Sequence, residues 1–237
     1  IAHTVAGMYD FAADAANGMT FHSEHTGGQA NKVFMIPRSA AELQERRTAI
    51  AKWANLTKGW VGRSPDHVGG VIAGFASAPG VFDKGERQFG KNVSAFYKKL
   101  LAESLYTSYV IIPPQIDRST SASNWKDELL QAGVLKETDG GYIVRGSQML
   151  GTSTSVSDYL FVSCIKPLTP ADERYALSFV IPVNTPGLKI YCRRAYAPGQ
   201  PSEFDYPLSA RFDESDALIV FDDVFVPWEN TFVYRDV

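Results

Sequence analysis

The chain has 237 residues, of which 45% are hydrophobic and 21% charged, so it can bury a core in one large or two smaller domains. Its 23 basic and 26 acidic residues give a net charge of −3, which offers no general attraction for nucleic acid or an anionic membrane as a partner. No apolar run approaches the roughly 20 residues of a membrane-spanning helix, and the two cysteines are too few for a disulfide framework. The composition therefore predicts a cytoplasmic globular protein.

The first hundred residues carry helical patterns. Residues 1–12 have apolar side chains at helical spacing with no capping residue before them, so we expect the chain to begin inside a helix and to be a piece of something longer. Ser39, with Glu42 three residues later, predicts the capped start of a second helix, and another should cover about 65–78. The segment "KGERQFGKNVSAFYKKLLAES", residues 84–104, predicts a further helix. The expected apolar stripes are Ile1, Val5, Met8 and Tyr9 in the first helix, Leu43, Ile50, Trp53 and Leu56 in the second, and Phe89, Val93, Phe96, Leu100 and Leu101 in the last.

From residue 105 the pattern changes to short runs rich in β-branched and aromatic residues, bounded by Gly, Pro, Asp or Ser. The runs are "YTSYVII", "GYIVRGSQML", "DYLFVSCI", "YALSFVIPV", "GLKIYCR" and "ALIVFDDVFV". Strands that follow one another without helices are typical of an antiparallel sandwich or barrel. The sequence thus predicts an α+β chain, with an N-terminal helical domain over 1–104 and a β domain over 105–237.

The stretch "GWVGRSPDHVGG", residues 59–70, places a cation and an imidazole four residues apart. Ser64 is a suitable N-cap and Pro65 suits a first helical turn, so Arg63 would lie at the mouth of the helix and His67 one turn in. Glycines in the stretch would let a large flat group approach the backbone. Arg63 and His67 are candidate site residues, and the alternative is an ordinary junction between a loop and a helix.

Two later stretches are dense in hydrogen-bonding side chains. In residues 106–124 a double proline precedes amide, carboxylate and hydroxyl groups that would suit a polar cofactor edge or a diphosphate, or equally a solvated crossing between domains. In residues 148–159 Thr152 follows Gly151 and would present a donor and an acceptor to a heteroaromatic ring, or would only cap its own turn.

Several familiar motifs are absent from the sequence: a GxGxxG before a helix, a Walker loop, a GxSxG elbow, HExxH and paired CxxC. His22 and His25 lie close together without a third ligand nearby, so no metal site is expected. The acidic residues of 207–230 are interpreted as structural groups at turns and strand edges.

Taken together, five segments resemble the 4-hydroxyphenylacetate 3-hydroxylase family: "GRSPDHV", "PPQIDRS", "IVRGSQMLGT", "FVIPVNTPGLKIYCR" and "FDDVFVPWENTF". Members of this family are oxygenase components of two-component, reduced-flavin-dependent monooxygenases. The resemblance implies an acyl-CoA dehydrogenase-like fold, in which a C-terminal helical bundle completes the flavin site and builds a homotetramer. It also implies that this bundle is absent here, because the chain stops just after the β domain.

The resemblance assigns catalytic roles to three positions. The family's arginine that holds the substrate phenol falls on Arg63. The tyrosine that usually stands four residues later is His67 in this sequence, and the family's catalytic histidine falls on Tyr109. The Tyr and His types are therefore exchanged between two positions, which implies either redistributed roles or a different substrate.

The remaining site residues also come from the resemblance. The β-domain loop that grips a substrate carboxylate falls on Cys164 and Ile165, which are poor carboxylate partners and place 4-hydroxyphenylacetate itself in question. The flavin contacts fall on Gln115, Ile116, Asp117, Arg118, Ser121, Ala122, Ser123, Asn124 and Thr152.

The resemblance implies ortho-hydroxylation of a phenol by FAD. A separate reductase would supply the cofactor as FADH2, which would react with O2 to a flavin C4a-hydroperoxide, and the phenol would be free or tethered to a carrier. Arg63 would stabilise the phenolate, His67 would act as general base, and Tyr109 would orient the phenol or protonate the distal peroxide oxygen.

Rival functions remain open. One is a flavoprotein resembling an acyl-CoA dehydrogenase or 4-hydroxybutyryl-CoA dehydratase, although Cys164 and Cys192 are too few to ligate an iron–sulfur cluster. The other is a truncated, non-catalytic fragment or partner subunit, since exposed apolar helix faces would favour oligomerisation.

Overall fold

The computed structural model describes residues 1–84, 87–117, 119–197, 199 and 202–237, and these form two compact units. The first unit consists of Ile1–Ala78, Ala95–Tyr106 and Arg194–Ser215, and the second of Pro79–Ser94, Thr107–Arg193 and Asp216–Val237. The predicted combination of helices with largely antiparallel sheets is confirmed. The predicted domain boundary between residues 104 and 105 stays a prediction.

The helices follow the sequence pattern closely in their bounds. They are α1 (Ala2–Ala13), α2 (Ala40–Leu56), α3 (Pro65–Ser77), α4 (Gly90–Glu103) and the short α5 (Ser209–Phe212). Ser39 caps α2 as predicted, because its Oγ accepts the Glu42 N–H at 3.2 Å. The apolar stripe predicted for α2 is wrong at Leu43 and Leu56, which are 55% and 38% exposed. The buried residues of this helix are Ala49 and Trp53 alone, so the face that packs against the core is narrower than the predicted apolar stripe.

The first unit has its core around Met8, Phe34, Trp53 and Tyr97, all almost fully buried. The polar ends of two of these rings are satisfied, since Trp53 Nε1 donates to Met8 O at 2.8 Å and Tyr97 Oη donates to Phe34 O at 3.0 Å.

The first unit also contains a hairpin that the sequence pattern did not predict, formed by β1 (Thr20–Ser23) and β2 (Gly28–Asn31). These strands are short and polar, so they lack the apolar alternation on which strand prediction depends.

The second unit contains two four-stranded sheets. Their strands are β3 (Thr107–Val110), β4 (Gly133–Thr138), β5 (Gly141–Gln148), β6 (Tyr159–Val162), β7 (Leu177–Pro182), β8 (Leu188–Cys192), β9 (Ala217–Pro227) and β10 (Thr231–Tyr234). One sheet has the order β10-β7-β6-β3 and the other β4-β5-β9-β8. All six predicted runs contain a strand, whereas β4 and β10 were not predicted. The pairing is antiparallel except between β3 and β6, which run parallel.

Both sheets contribute side chains to one core, as expected for a sandwich. Buried members include Tyr142 and Val144 from β5, Phe179 from β7 and Phe221 from β9. Tyr142 Oη accepts a hydrogen bond from Thr231 Oγ1 at 3.2 Å, which satisfies the polar end of a fully buried ring. Within the described ranges, no helix has both the length and the apolar character needed to cross a membrane.

Candidate functional site

Three loops of the second unit meet at one edge, where β3, β5 and β6 end. The loop after β3 pairs with the loop after β5 through a bridge between Ile112 and Met149. The loop after β6 joins them, because Ile165 N donates to Ile111 O at 3.1 Å. The structure therefore brings together the predicted flavin loop that begins after β3, the predicted flavin contact Thr152 and the predicted substrate residues at 164–165.

This edge exposes large apolar side chains beside polar ones. Ile116, Leu150 and Ile165 are each between 50% and 60% exposed, and they come from the three different loops. Gln115 and Asp117 are exposed next to Ile116. An apolar surface with amide and carboxylate groups at its border is the chemistry that a flat heteroaromatic ligand with a polar edge requires.

The loop after β3 is held in shape by its own side chains. Asp117 accepts hydrogen bonds from Ser119 N at 2.8 Å and Ser119 Oγ at 2.6 Å, and these bonds lower the pKa of the Asp117 carboxyl. Trp125 Nε1 donates to Asp117 O at 3.1 Å and so ties the two ends of the loop together. The predicted flavin contact Arg118 lies outside the described residues.

A turn of 3-10 helix, Ala122–Asn124, carries the second half of the predicted flavin loop. Ala122 packs with Trp125 and Tyr175 in a small buried cluster, so its side chain belongs to the core and only its main chain remains for a ligand. Asn124 is exposed and its amide donates to Ser121 Oγ at 3.1 Å.

The side chain of Asp172 holds the Ala122–Asn124 turn in place. Its side chain is buried, with 1% exposed, and it accepts Ser123 N–H at 3.1 Å together with the N–H and Oγ–H of Thr169 at 3.1 and 2.7 Å. Burial opposes ionisation, but the hydrogen bonds from Thr169 and Ser123 outweigh it and lower the pKa of Asp172. A buried anion thus sets the position of the 121–124 segment.

Thr152 lies in a tight turn after β5. Its Oγ1 donates to Asp216 Oδ1 at 2.5 Å, so the hydroxyl is oriented by a carboxylate. Gly151 is needed beside it, because a Cβ there would lie 2.8 Å from Thr154 Oγ1 and 3.0 Å from Ile219. The neighbouring Ser153 adopts a positive φ of 61° and is buried. The turn therefore caps itself, because Thr154 Oγ1 donates to Gly151 O at 3.0 Å, and the contact of Thr152 with a heteroaromatic ring stays a prediction.

The predicted substrate residues are a neutral pair. Cys164 is half-buried, and burial raises the pKa of its thiol, which accepts a weak hydrogen bond from Gln131 Nε2 at 3.4 Å. Ile165 is 60% exposed. Neither side chain carries a charge at neutral pH, in agreement with the interpretation that they are poor partners for a carboxylate.

Tyr109 lies on β3, opposite Phe161 of β6. The residue before it, Ser108, is buried and its hydroxyl lies 2.9 Å from Ser157 Oγ and 3.2 Å from Thr154 Oγ1. These contacts lock the strand that carries Tyr109 to the turn after Thr152.

Arg63 and His67 belong to the first unit. Arg63 is the last residue but one before α3, and His67 lies in the first turn, where its N–H donates to Ser64 O at 2.9 Å. Ser64 is the N-cap as predicted, but its hydroxyl donates to Asp66 instead of accepting a capping bond. The two candidate site residues, Arg63 and His67, are both exposed.

The pKa of His67 is lowered. Partial burial is the main cause and the Arg63 cation adds to it, whereas the Asp66 carboxylate acts in the opposite direction. A lowered pKa leaves the imidazole neutral and able to accept a proton at neutral pH.

The glycines after His67 serve the core. A Cβ at Gly69 would lie 2.4 Å from the ring of Phe34, so the large flat group that approaches this backbone is a side chain of the protein itself. A Cβ at Gly70 would meet the Arg46 guanidinium at 2.5 Å. The suggestion that these two glycines admit a ligand is therefore wrong.

Sequence reasoning missed the residues that support the site. Glu214, Tyr106, Asp172 and Asp216 each bind a predicted site residue or its neighbour, at separations of 43 residues or more along the chain. No local pattern signals such contacts. The acidic residues of 207–230 were interpreted as structural, which agrees with the contacts of Glu214 and Asp216 but gave no hint of what they hold.

No grouping of three or more His, Cys, Asp or Glu side chains suited to a metal occurs among the residues that the structure describes. His22 lies in β1, and the His25 ring packs edge-on against Tyr97 with centroids 5.4 Å apart.

We expect the two charged neighbours of His67 to move its pKa in opposite directions. Arg63→Gln should raise the pKa, since a nearby cation disfavours imidazolium, and Asp66→Asn should lower it further. The measurement is an NMR titration of the His67 ring, whose resonance is assigned by its loss in His67→Gln. Equal pKa values in both variants would contradict the electrostatic account.

Comparison with known sequences assigns the chain to a protein family. The sequence model described as "4-hydroxyphenylacetate 3-hydroxylase N terminal" matches residues 1–233. The chain belongs to this family.

Two relatives show the range of names in the family. The oxygenase component of 4-hydroxyphenylacetate 3-monooxygenase from Pseudomonas aeruginosa is 40% identical over 214 residues, which cover 89% of this chain and 40% of the relative. The oxygenase component of 4-nitrophenol 2-monooxygenase from Rhodococcus is 36% identical, over 98% of this chain and 44% of the relative. The chain thus spans less than half the length of these relatives.

Solved structures agree with this assignment. The oxygenase component of 4-hydroxyphenylacetate 3-monooxygenase complexed with FAD and 4-hydroxyphenylacetate superposes with a TM-score of 0.91 at 35% identity, covering 99% of this chain and 48% of that one. An archaeal 4-hydroxybutyryl-CoA dehydratase from N. maritimus shares the fold, with a TM-score of 0.84 at 23% identity, over 98% of this chain and 47% of that one.

Proposed function

We propose that this chain is part of the oxygenase component of a reduced-flavin-dependent aromatic monooxygenase that hydroxylates a phenol at the ortho position. The observation that carries the proposal is the close match, over 99% of the chain, to an oxygenase component whose structure was solved in complex with FAD and 4-hydroxyphenylacetate. The sequence of that protein is 35% identical to this one.

The residues of the second unit fit a flavin. The donor set at the edge where the three loops meet combines amide and hydroxyl groups with exposed Ile116, and this suits the polar and apolar parts of an isoalloxazine ring. When bound, reduced FAD supplies the electrons for activation of O2. The residues proposed to hold it are Gln115, Ile116, Asp117, Arg118, Ser121, Ala122, Ser123, Asn124 and Thr152.

The proposed roles of the other residues follow from their chemistry. Arg63 is permanently charged and would stabilise a phenolate through a charge-assisted hydrogen bond, which raises electron density at the ortho carbon. His67, with its lowered pKa, would accept the phenol proton. Tyr109 would orient the phenol. Apolar side chains such as Ile116 would help to exclude water, which otherwise diverts the reaction to hydrogen peroxide.

The proposed substrate is a phenol, free or tethered to a carrier. Cys164 and Ile165, which fall in the substrate loop, offer no charge to a carboxylate. The compound in the matched structure, 4-hydroxyphenylacetate, is therefore only one candidate for this chain.

The proposal includes the wider assembly. We infer a separate flavin reductase, a cytoplasmic location and a homotetramer in the full-length protein, with an acyl-CoA dehydrogenase-like layout whose C-terminal helical bundle completes the flavin site. The support is the name "oxygenase component" carried by the relatives and the share of their length that this chain covers.

Two measurements on the full-length protein test the proposed function. Equilibrium dialysis under nitrogen should show binding of FADH2 in preference to FMNH2. With FADH2 regenerated by an added reductase, 18O2 and a panel of phenols that includes 4-nitrophenol, mass spectrometry should show one 18O atom in the product. Flavin binding without labelled product from any phenol would favour a non-catalytic subunit, and absence of flavin binding would overturn the proposal.

A further inference from the structure

The loop that carries Arg63 is clamped by a carboxylate from a distant part of the chain. Glu214 accepts the N–H of Arg63 at 3.2 and 2.9 Å through its two oxygens, and it also accepts the N–H of Gly62. The two partners are 151 residues apart in sequence but belong to the same unit. An anion that receives successive backbone N–H groups makes charge-assisted bonds, which are stronger and more directional than neutral ones.

A second contact holds the other side of the same residue. Tyr106, which is 2% exposed, donates its hydroxyl to Arg63 O at 2.6 Å. Both polar main-chain groups of Arg63 are therefore bonded to side chains from other segments. Val61 and Pro65, on either side, are buried, so Gly62 and Arg63 lie between two residues that are packed into the protein.

This arrangement differs from what the loop alone would give. Lys58 and Gly59 have positive φ angles of 54° and 76°, and the N–H groups of residues 58–60 donate back to carbonyls of residues 54–57, so local main-chain bonds fix the start of the loop. The residues after it are held by the side chains of Glu214 and Tyr106. An arginine side chain has several rotatable bonds and loses much rotamer entropy when it is fixed. A fixed main chain limits where the guanidinium can reach before any ligand binds.

We propose that Glu214 is a positioning residue for Arg63, and that together with Tyr106 it sets the place of the guanidinium that meets the phenol oxygen. The inference rests on the proposed function, in which Arg63 binds the phenolate. It adds that the acidic turn after α5 determines how strongly the site favours the ionised phenol. The alternative is that Glu214 only ties the 194–215 segment to its own unit.

The test uses 4-nitrophenol, whose phenolate absorbs visible light while the neutral phenol does not. A cation held at the phenol oxygen lowers the pKa of the bound phenol, so an absorbance titration of the complex reports the position of the guanidinium directly. We expect Glu214→Ala to raise the pKa of bound 4-nitrophenol and to weaken its binding by about tenfold, the loss that one charged hydrogen bond represents. Glu214→Gln keeps one acceptor oxygen, but it loses the charge and places an NH2 group where the second oxygen accepts an N–H, so its effect should lie between those of the wild type and Glu214→Ala.

Controls separate positioning from folding and from the proposed function. Glu203→Ala, in an exposed residue of the same segment, should change nothing. If Glu214→Ala does not fold, as judged by its thermal unfolding midpoint, Tyr106→Phe removes the other half of the clamp and should shift the bound pKa in the same direction. Arg63→Gln provides the reference for loss of the cation.

The outcomes are distinct. A shift with Arg63→Gln and with the clamp variants supports the inference. A shift with Arg63→Gln but none with Glu214→Ala or Tyr106→Phe overturns it and leaves the proposed function standing. No shift with Arg63→Gln removes Arg63 from the phenol site, and the proposed role of that residue fails with it.

Discussion

Arg63→Ala is expected to abolish hydroxylation while oxygen consumption continues. In the proposed reaction the guanidinium stabilises the negative charge of the phenolate, and loss of one such preorganised donor typically costs about 10²–10³-fold in turnover. Reduced flavin still reacts with O2 in the variant, so the electrons should appear as hydrogen peroxide. The measurement is the ratio of hydroxylated product to peroxide at equal FADH2 consumption.

The matched control is Arg47→Ala. Arg47 is an exposed arginine on α2 of the same unit, and its removal makes the same change in net charge. We expect the product ratio of this variant to equal that of the wild type. An unchanged ratio in Arg63→Ala would exclude Arg63 from the reaction, and a parallel loss in both variants would point to the net charge of the protein instead.

Asp172→Ala is expected to destabilise the second unit and to weaken FAD binding. The carboxylate is buried and accepts three hydrogen bonds, so its removal leaves donors of Thr169 and Ser123 without a partner. We expect a loss of about 2 kcal/mol in the free energy of unfolding, which corresponds to a fall of roughly 4–8 °C in Tm. Since Ser123 belongs to the proposed flavin loop, the Kd for FAD should rise about tenfold.

The pH dependence of this effect has a defined sign. The folded-state pKa of Asp172 is lowered, so its contribution to stability is present above the ordinary value of 3.8 and is lost as pH falls through the lower folded value. The difference in unfolding free energy between wild type and Asp172→Ala should therefore be full at about pH 7 and shrink below about pH 4. Urea unfolding at both pH values measures it.

Asp127→Ala is the control for this second prediction, because Asp127 is exposed in the segment that follows the proposed flavin loop. It should leave both the unfolding free energy and the Kd for FAD unchanged. If Asp172→Ala lost stability but bound FAD normally, the carboxylate would serve only the fold. If it lost neither, the hydrogen bonds to Ser123 and Thr169 would carry no net free energy.

The local elements of this protein could be predicted from residues that are close together along the chain. Ser39 with Glu42 marked the start of α2, and Pro65 marked the start of α3, because capping and the fixed φ of proline act over a few residues. Strands such as β9 could likewise be predicted, because their sequences are rich in β-branched and aromatic residues. The family resemblance, now confirmed, rested on segments spread along nearly the whole chain.

The contacts by which one segment supports another could not be predicted in this way. The parallel pairing of β3 with β6, the docking of the 121–124 turn on Asp172 and the clamp of Glu214 on Arg63 all join residues far apart in sequence. Similarly, the sequence suggested that Gly69 leaves room for a ligand beside the backbone, but in the structure the Phe34 ring occupies the space next to its Cα. Hydrogen bonds and packing contacts depend on distance in space, whereas capping and periodicity depend on distance along the chain. The supporting acids Asp172 and Glu214 therefore carried no sequence signal, although they hold the segments on which the proposed chemistry depends.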